Sequence, residues 1–567
     1  MPVVIVDIGS APKAAPPPPP VPEDQRNRKA ERAAAASAAA NDAACLSRAE
    51  LKDWMVDKRL TSCDLALAQA EPAGSYWDRR ALLLQQRAYM AINKGDGVHA
   101  LEALDESDAI GKAQIVKDGT DPLFDMSIGI GNSMLRAWIL HARGQNAQAY
   151  DLLAKAKALR PDAPSLVASV DQMETQIEFD IPKYIARLEK RIRIDPDVMK
   201  SLIFLHLAMG EFDKAAIVGD QISLAEPKSR GGWTMSNAQT PFEMAERAAE
   251  FETTKAYIAA RRGKAEARDG YMAKARQIIV DYVGVDPTVN PPKGTTPKKR
   301  DIEAYAARKV EAEKLTLEAD EWLDAINFRD KIGDGDVLAL VNHFGKFKNK
   351  PELLPALLES LNGYAAKGKN DAIIATQFRD QLLRQSLYLD GGEYLAIMGD
   401  RLPRGEHLDQ IGKLGSNSLD WLWGGSAGFT QTKEVADGGA DIRTIRYETT
   451  TGTGAIAEEM LMLAIVHYAE ADKKDAFVFL TNRTVARHIT TSNCFYYSCS
   501  AGVTSDAGFV SESRVQLFNA ATPPPELPAG SVRIITTADV KAALMPRYQA
   551  YGDRKAVIEA EKKAARK

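Results

Sequence analysis

The chain is poor in cysteine, histidine and aromatic residues, and it carries no excess of one charge. Four cysteines in 567 residues are too few for a disulfide framework to set the fold. Seven histidines, none of them clustered, supply no donor set for a metal. Lys+Arg 73 against Asp+Glu 77 leaves a net charge of -4, which removes the basic excess expected of a nucleic-acid binder. No apolar run reaches the roughly eighteen residues of a membrane span. The longest candidate, Leu202–Gly210, is short and interrupted by His206. Aromatics at 7% and alanine-rich stretches point to helices, and a hydrophobic fraction of 45% excludes a disordered chain. A chain of this length divides into two to four domains.

The first 44 residues read as a tether. Val3–Val6 is a short apolar run without a basic region before it or a sufficient apolar stretch after it, so no signal peptide is visible. Pro16–Pro20 predicts an extended polyproline spacer, and Glu23–Ala44 is alanine-rich and charged. A leader of this kind resembles the tether that follows a secretion signal, and a cytosolic chain is the alternative.

From Cys45 to about residue 290 the sequence predicts helix after helix. Ser47-Arg48-Ala49-Glu50 has the capping-box pattern of a helix start. Four glycine turns recur at Gly95, Gly144, Gly210 and Gly263, and six residues before each stands an aromatic: Tyr89, Trp138, Phe204 and Tyr257. Ala88, Ala137, Ile203 and Ala256 precede those aromatics. Ala100, Ala149 and Ala215 follow the first three glycines by five residues, and Ala267 comes one place early. Such a unit is a helix hairpin: glycine caps the first helix, small residues let the helices approach, and the aromatic fills the gap. A single hairpin cannot bury its own apolar face, so hairpins stack into a solenoid.

The pattern resembles tetratricopeptide repeats, most closely over Ala149–Pro161, where Pro161 stops the second helix as Pro227 does in the third unit. The glycines are 49, 66 and 53 residues apart rather than about 34, so extra helices or long loops must intervene near 119–132 and 162–195. The resemblance implies a protein or peptide partner on a helical groove. The carboxylate-clamp version requires Lys and Asn on the first helices. Here Gln85, Tyr89, Met134 and Trp138 occupy that region, with His141 beside them, and an aromatic groove favours an apolar segment.

Residues 291–440 predict further helices and a glycine-rich connector. Pro291–Arg300 breaks the pattern as a solvated or basic loop, and helices resume over Asp301–Ala325, Val337–Phe344, Glu352–Ala366 and Asp371–Leu387. Pro351 and Pro355 suit a first helical turn. Gly391–Gly439, with Trp421 and Trp423, reads as irregular.

After residue 440 the period changes. Strands are expected at Ile442–Thr449, Ala476–Leu480, Gly508–Phe518 and Val532–Thr537, with a helix at Ala455–Ala471 and a short one from Thr537 or Asp539 that ends before Pro546. That order makes a small α/β sandwich over 441–550, and residues 551–567 form a charged helical tail. The helix Glu458–Ala464 leading into Asp475–Leu480 resembles a small domain of proteobacterial envelope proteins.

Cys45 and Cys63, and Cys494 and Cys499, form two local pairs, which suggests two local disulfides and an oxidising compartment; four idle thiols are the other reading. Cys494 and Cys499 can meet across a short hairpin. A straight helix over Ser47–Lys58 would hold Cys45 and Cys63 apart, so their bond needs a shorter helix or a folded-back chain. His488 lacks the further ligands of a zinc site, and a Cys494–His488 nucleophile pair lacks an orienting third group. Residues 333–336 read as a capping turn, and residues 424–428 are not a nucleophile elbow. Gly452 and Gly454, between a strand and a helix, could meet a phosphate. No cofactor, metal or catalytic residue is assigned, and the oligomeric state stays open. The expectation is a mainly α chain: a helical-hairpin solenoid followed by a small α/β domain, acting as a non-enzymatic scaffold of the cell envelope. An enzyme with its site in the α/β domain, and a cytosolic regulatory module, are the alternatives.

Overall fold

The computed structural model describes residues 37–565 apart from internal stretches, the longest being 223–239 and 407–429. The tether prolines, Trp421, Trp423, Gly452 and residues 333–336 and 424–428 lie outside the described residues. The chain is mainly helical, with a small α/β domain towards the C-terminus. It divides into two compact units, residues 1–107 and 108–567.

The first unit contains α1 (Asp53–Ala68), α2 (Arg79–Asn93) and the start of α3 (Gly97–Asp118). Helix α1 begins five residues later than the Ser47 pattern predicts, after Lys52, which makes no side-chain cap bond. Ser47 instead gives its carbonyl to the Arg59 guanidinium. The shorter helix lets the chain turn back, and Cys45 meets Cys63 with an S–S distance of 2.06 Å and Cα atoms 4.8 Å apart. Both are fully buried and pack with Ala66 and Leu83. Arg79 grips Asp42 with two hydrogen bonds of 2.7 and 2.5 Å, and the Ser107 hydroxyl donates to the Ala81 carbonyl at 3.0 Å.

In the second unit, hairpins are formed by α4 (Ile128–Ala142) with α5 (Asn146–Leu159), by α8 (Val198–Ala208) with α9 (Phe212–Asp220), and by α10 (Pro241–Arg261) with α11 (Ala265–Val283). Two further helices, α6 (Pro164–Ile177) and α7 (Ile181–Arg191), fill the 162–195 interval that separates them. The four motif glycines end their helices in one geometry, with φ between +71° and +77°. At Gly144 the amide donates to the His141 carbonyl at 2.8 Å and the Gln145 amide to the Leu140 carbonyl at 2.9 Å, a Schellman closure that satisfies the last carbonyls. Only glycine takes that φ without a Cβ penalty. Ala100, Ala149 and Ala215 are fully buried, as close helix approach requires.

Helices α12 (Lys299–Ile332), α13 (Val337–Phe344), α14 (Lys350–Ala366) and α15 (Ala372–Ser386) follow. Pro351 lies in the first turn of α14, but Pro355 is inside the helix rather than in its first turn. Buried Glu359 of α14 accepts from Tyr257 Oη at 2.7 Å, from Arg261 at 3.0 Å and from Arg329 at 3.0 Å, so one carboxylate joins α10, α12 and α14. Trp322 stands edge-on to Tyr257, with ring centroids 5.7 Å apart.

The sheet is antiparallel in the order β1-β2-β6-β3-β7, from β1 (Thr430–Val435), β2 (Asp441–Glu448), β3 (Ala476–Thr491), β6 (Val503–Phe518) and β7 (Ile535–Thr536). Two short strands, β4 (Cys494–Phe495) and β5 (Ser498–Cys499), pair at the tip of the long β3–β6 hairpin. Strand β1 falls in the segment expected to be irregular, and β7 is much shorter than predicted. Helix α16 (Gly454–Ala471) covers one face, packing Met460, Leu463 and Ala464 against Ile445, Phe477, Phe479 and Val515. Helix α17 (Thr537–Ala565) runs through Pro546 instead of stopping before it. The core of the α/β domain also takes in Val167 of α6 and Leu123, Met126 and Ile194 from turns between the helices.

Candidate functional site

Helices α5, α6 and α7 leave an open groove of about 450 Å³ between them. Tyr150, Lys157 and Arg187 line its walls with Glu174 and Glu178, and Lys183 and Lys190 stand at its edge. The positions follow from helical spacing: Lys183, Arg187 and Lys190 recur at four- and three-residue steps along one face of α7. Lys157 Nζ reaches Asp171 at 2.8 Å and Glu174 at 3.0 Å, and Arg187 donates to Thr175 Oγ1 at 2.7 Å. Tyr150 Oη donates to Glu178 at 2.9 Å; burial and the neighbouring carboxylate push its pKa well up, so it stays a neutral donor. Lys183 is held by Glu178 at 2.7 Å. The groove is thus shallow and lined by charged residues, whose aliphatic stems make most of its surface. A second hollow, about 390 Å³, lies over Leu140, Ala147, Gln148 and Leu152.

Below the groove, at the end of α5, lies a buried polar junction with the α/β domain. Arg160 follows α5 and donates to Glu459 at 2.9 and 3.1 Å and to Glu406 at 2.5 Å. Glu459 also accepts from Arg547 at 2.6 Å and from Tyr548 Oη at 2.7 Å. Next to it, Glu458 accepts from the Ser165 amide and from its hydroxyl, the latter at 3.0 Å, and so caps the start of α6 from the neighbouring domain. Glu406 accepts from Thr453 Oγ1 at 2.5 Å, and Thr453 caps α16 through the Ile456 amide. Burial opposes charge on Arg160, but Glu406 and Glu459 outweigh it and hold the guanidinium protonated. Burial likewise acts against the charge of Glu459, yet Arg160 and Arg547 bring its pKa below the ordinary value. Burial wins at Glu406, which is raised despite Arg160, and at Glu458, which is pushed up to about 7.

Of the residues expected to line a partner groove, Gln85 and Tyr89 belong to the first unit and Met134, Trp138 and His141 to the second. Gln85, Tyr89 and Met134 are buried in helix packing. Gln85 and Tyr89 lie on a buried face of α2 and Met134 on a buried face of α4. Trp138 and His141 are half-buried; Trp138 contacts His141 and Tyr394 at centroid distances of 5.8 and 5.6 Å, and His141 Nδ1 pairs with Asn146 at 3.0 Å. Cys45 and Cys63 are bonded as described. Cys494 stands directly opposite Cys499 in backbone register, while their side chains and that of His488 lie outside those described. Gly454 begins α16, and a Cβ there would meet Phe509 and Thr484 at 3.5–3.6 Å. With Glu406 already bonded to the capping Thr453, this helix start is filled by the protein's own groups.

The groove and junction residues escaped the sequence reading, although one signal was present. Glu458 and Glu459 are adjacent charges inside the otherwise apolar run Ala455–Val466, and buried charge of that kind requires partners. Among the described residues, no group of three or more His, Cys, Asp or Glu side chains is placed to hold a metal. No described helix is long and apolar enough to cross a membrane. Comparison with known protein families, curated proteins and solved structures finds no match to this chain.

Proposed function

We propose that this chain is a non-enzymatic protein-interaction scaffold of the bacterial cell envelope, with tetratricopeptide-like hairpins that present a groove to a protein or peptide partner. The observation that carries this reading is the open groove of α5, α6 and α7, a helical surface of aliphatic stems with charged groups at its edge that is accessible to an extended segment. Lys183 and Lys190 at its exposed edge favour a partner segment with acidic residues. The Cys45–Cys63 bond supports an oxidising compartment.

The test is in-cell photocrosslinking with a probe at Ala186, which is exposed within the groove, compared with a probe at exposed Lys274 outside it. A discrete adduct from Ala186 that is lost when Lys183 and Lys190 are changed to glutamate supports the reading. Adducts that are equal at both positions, or that persist in the charge-reversed variant, overturn it. Cell fractionation with thiol labelling tests the compartment: labelling of Cys45 and Cys63 without reductant argues for the cytosol.

A further inference from the structure

The junction beneath α5 holds three buried carboxyl groups, Glu406, Glu458 and Glu459, against two guanidinium groups, Arg160 and Arg547. With every group ionised the cluster carries one uncompensated negative charge, and an uncompensated charge in the protein interior is costly. We propose that this cluster is a proton-operated latch, in which one bound proton secures the α/β domain to α5 and α6 and its loss loosens that attachment.

The geometry shows where the proton resides. Glu459 takes both arginines and Tyr548, so it is the committed anion. Among the described residues, Glu458 has only the neutral Ser165 donors as hydrogen-bond partners, and Glu406 keeps one buried oxygen without a hydrogen bond. Each of these two carboxyls is well placed for a proton.

The groups facing the cluster come from every element packed on it. Arg160 follows α5, Asp162 and Ser165 lie at the start of α6, Thr453 caps α16, and Arg547 and Tyr548 project from α17. Arg193 and Asp539 form a pair at 3.9 Å at its outer side, where both act on Asp162. Asp162 is itself raised by burial and adds to the negative side.

The sign follows from linkage. A carboxyl that stays protonated in the docked state but ionises in the undocked one makes docking tighter in acid and weaker as pH rises. Glu458, at about 7 when docked and about 4.3 when solvated, sets that window. Undocking grows about tenfold per pH unit from about pH 5 to about pH 7 and levels off above.

Hydrogen exchange of the full chain tests this, read at the amides of Ser165–Ser169 and Ile456–Val466 and corrected for intrinsic pH dependence. The expected result is an opening equilibrium that rises about tenfold per pH unit over that window, is shallower in E458Q, loses its slope in the E406Q/E458Q double variant, and is unchanged from wild type in the exposed-residue control E189Q. A flat wild-type profile overturns the proposal, and so does a slope that survives undiminished in E406Q/E458Q or vanishes in E189Q. If E458Q does not fold, pH-difference infrared spectroscopy on the unmutated protein decides. A buried protonated-carboxyl band lost near neutral pH supports the latch, and no such band at acid pH overturns it.

Discussion

Helix α16 ends as the four hairpin helices do, but with lysine where they have glycine. The Lys473 amide donates to the Glu470 carbonyl at 3.0 Å and the Lys474 amide to the Ala469 carbonyl at 2.8 Å, the same Schellman closure as at Gly144. Lys473 has φ +58°, alone among the described non-glycine residues, and its side chain is exposed. The left-handed region costs a residue with a Cβ about 1–2 kcal/mol. Glycine removes that cost but returns about 0.4–1 kcal/mol through the greater freedom of the unfolded chain. The strain is the larger effect, so K473G should stabilise the helix end by about 0.5–1 kcal/mol. The reciprocal G144A should destabilise α4 by a similar amount, because a Cβ at Gly144 meets nothing within 4 Å and only the backbone pays.

A chain of this size need not unfold in one step, so the assay is native-state hydrogen exchange at the Lys473 and Lys474 amides. K473G should slow their exchange about two- to fivefold, which is that energy converted at room temperature. K473A keeps the strain and removes the charge, so it should match wild type. Faster exchange in K473G would rule out backbone strain at Lys473, as would K473A behaving like K473G.

Replacing Cys45 and Cys63 with serine opens a loop with a sequence separation of 18 and should cost the first unit about 3 kcal/mol, visible as faster proteolysis within residues 53–93; unchanged cleavage would argue against the bond. Y257F removes one of the donors to buried Glu359 and should cost about 1–2 kcal/mol, read as a lowered midpoint in urea. G111A would place a Cβ 2.3–2.5 Å from the Phe124 ring, and the forced repacking should cost about 1–3 kcal/mol. F124L should recover part of that loss in the double variant, and additivity of the two changes would show that the sites do not touch.

The hairpins were legible because their signals are local. Aromatic, glycine and alanine fall at fixed offsets, and each offset has a geometric cause within two helical turns. The main strands and α16 were legible for the same reason. The misplaced boundaries show where tertiary contacts override local pattern: Ser47 serves Arg59 instead of capping a helix, and α17 continues through Pro546 while Tyr548 is held by Glu459. Strand β1 gave little signal, because Thr430–Val435 is polar and pairs only along the edge of the sheet. The junction was least legible. Arg160 meets Glu406 and Glu459 across 246 and 299 residues of sequence, and spacing along the chain carries no trace of such a meeting. Tyr89 and Tyr257 are buried, as the gap-filling role read from their spacing requires, while Trp138 and Phe204 at the same offset stay half-buried.

The buried Arg160 also bears on the order in which the molecule is made. Its partners Glu406 and Glu459, and the Arg547 that shares Glu459, are synthesised long after the second hairpin has left the ribosome. Until they arrive, the end of α5 holds a guanidinium that cannot be enclosed, and the start of α6 lacks the Glu458 cap. Asn482 and Arg533 likewise reach back to the Ile194 and Gln221 carbonyls at 2.8 and 3.1 Å. The middle of the chain therefore waits, solvated at these joints, and sets only when the last hundred or so residues emerge. A ribosome stalled before the sheet is complete would hold an open nascent chain, exposed to chaperones and proteases at joints that the finished protein encloses.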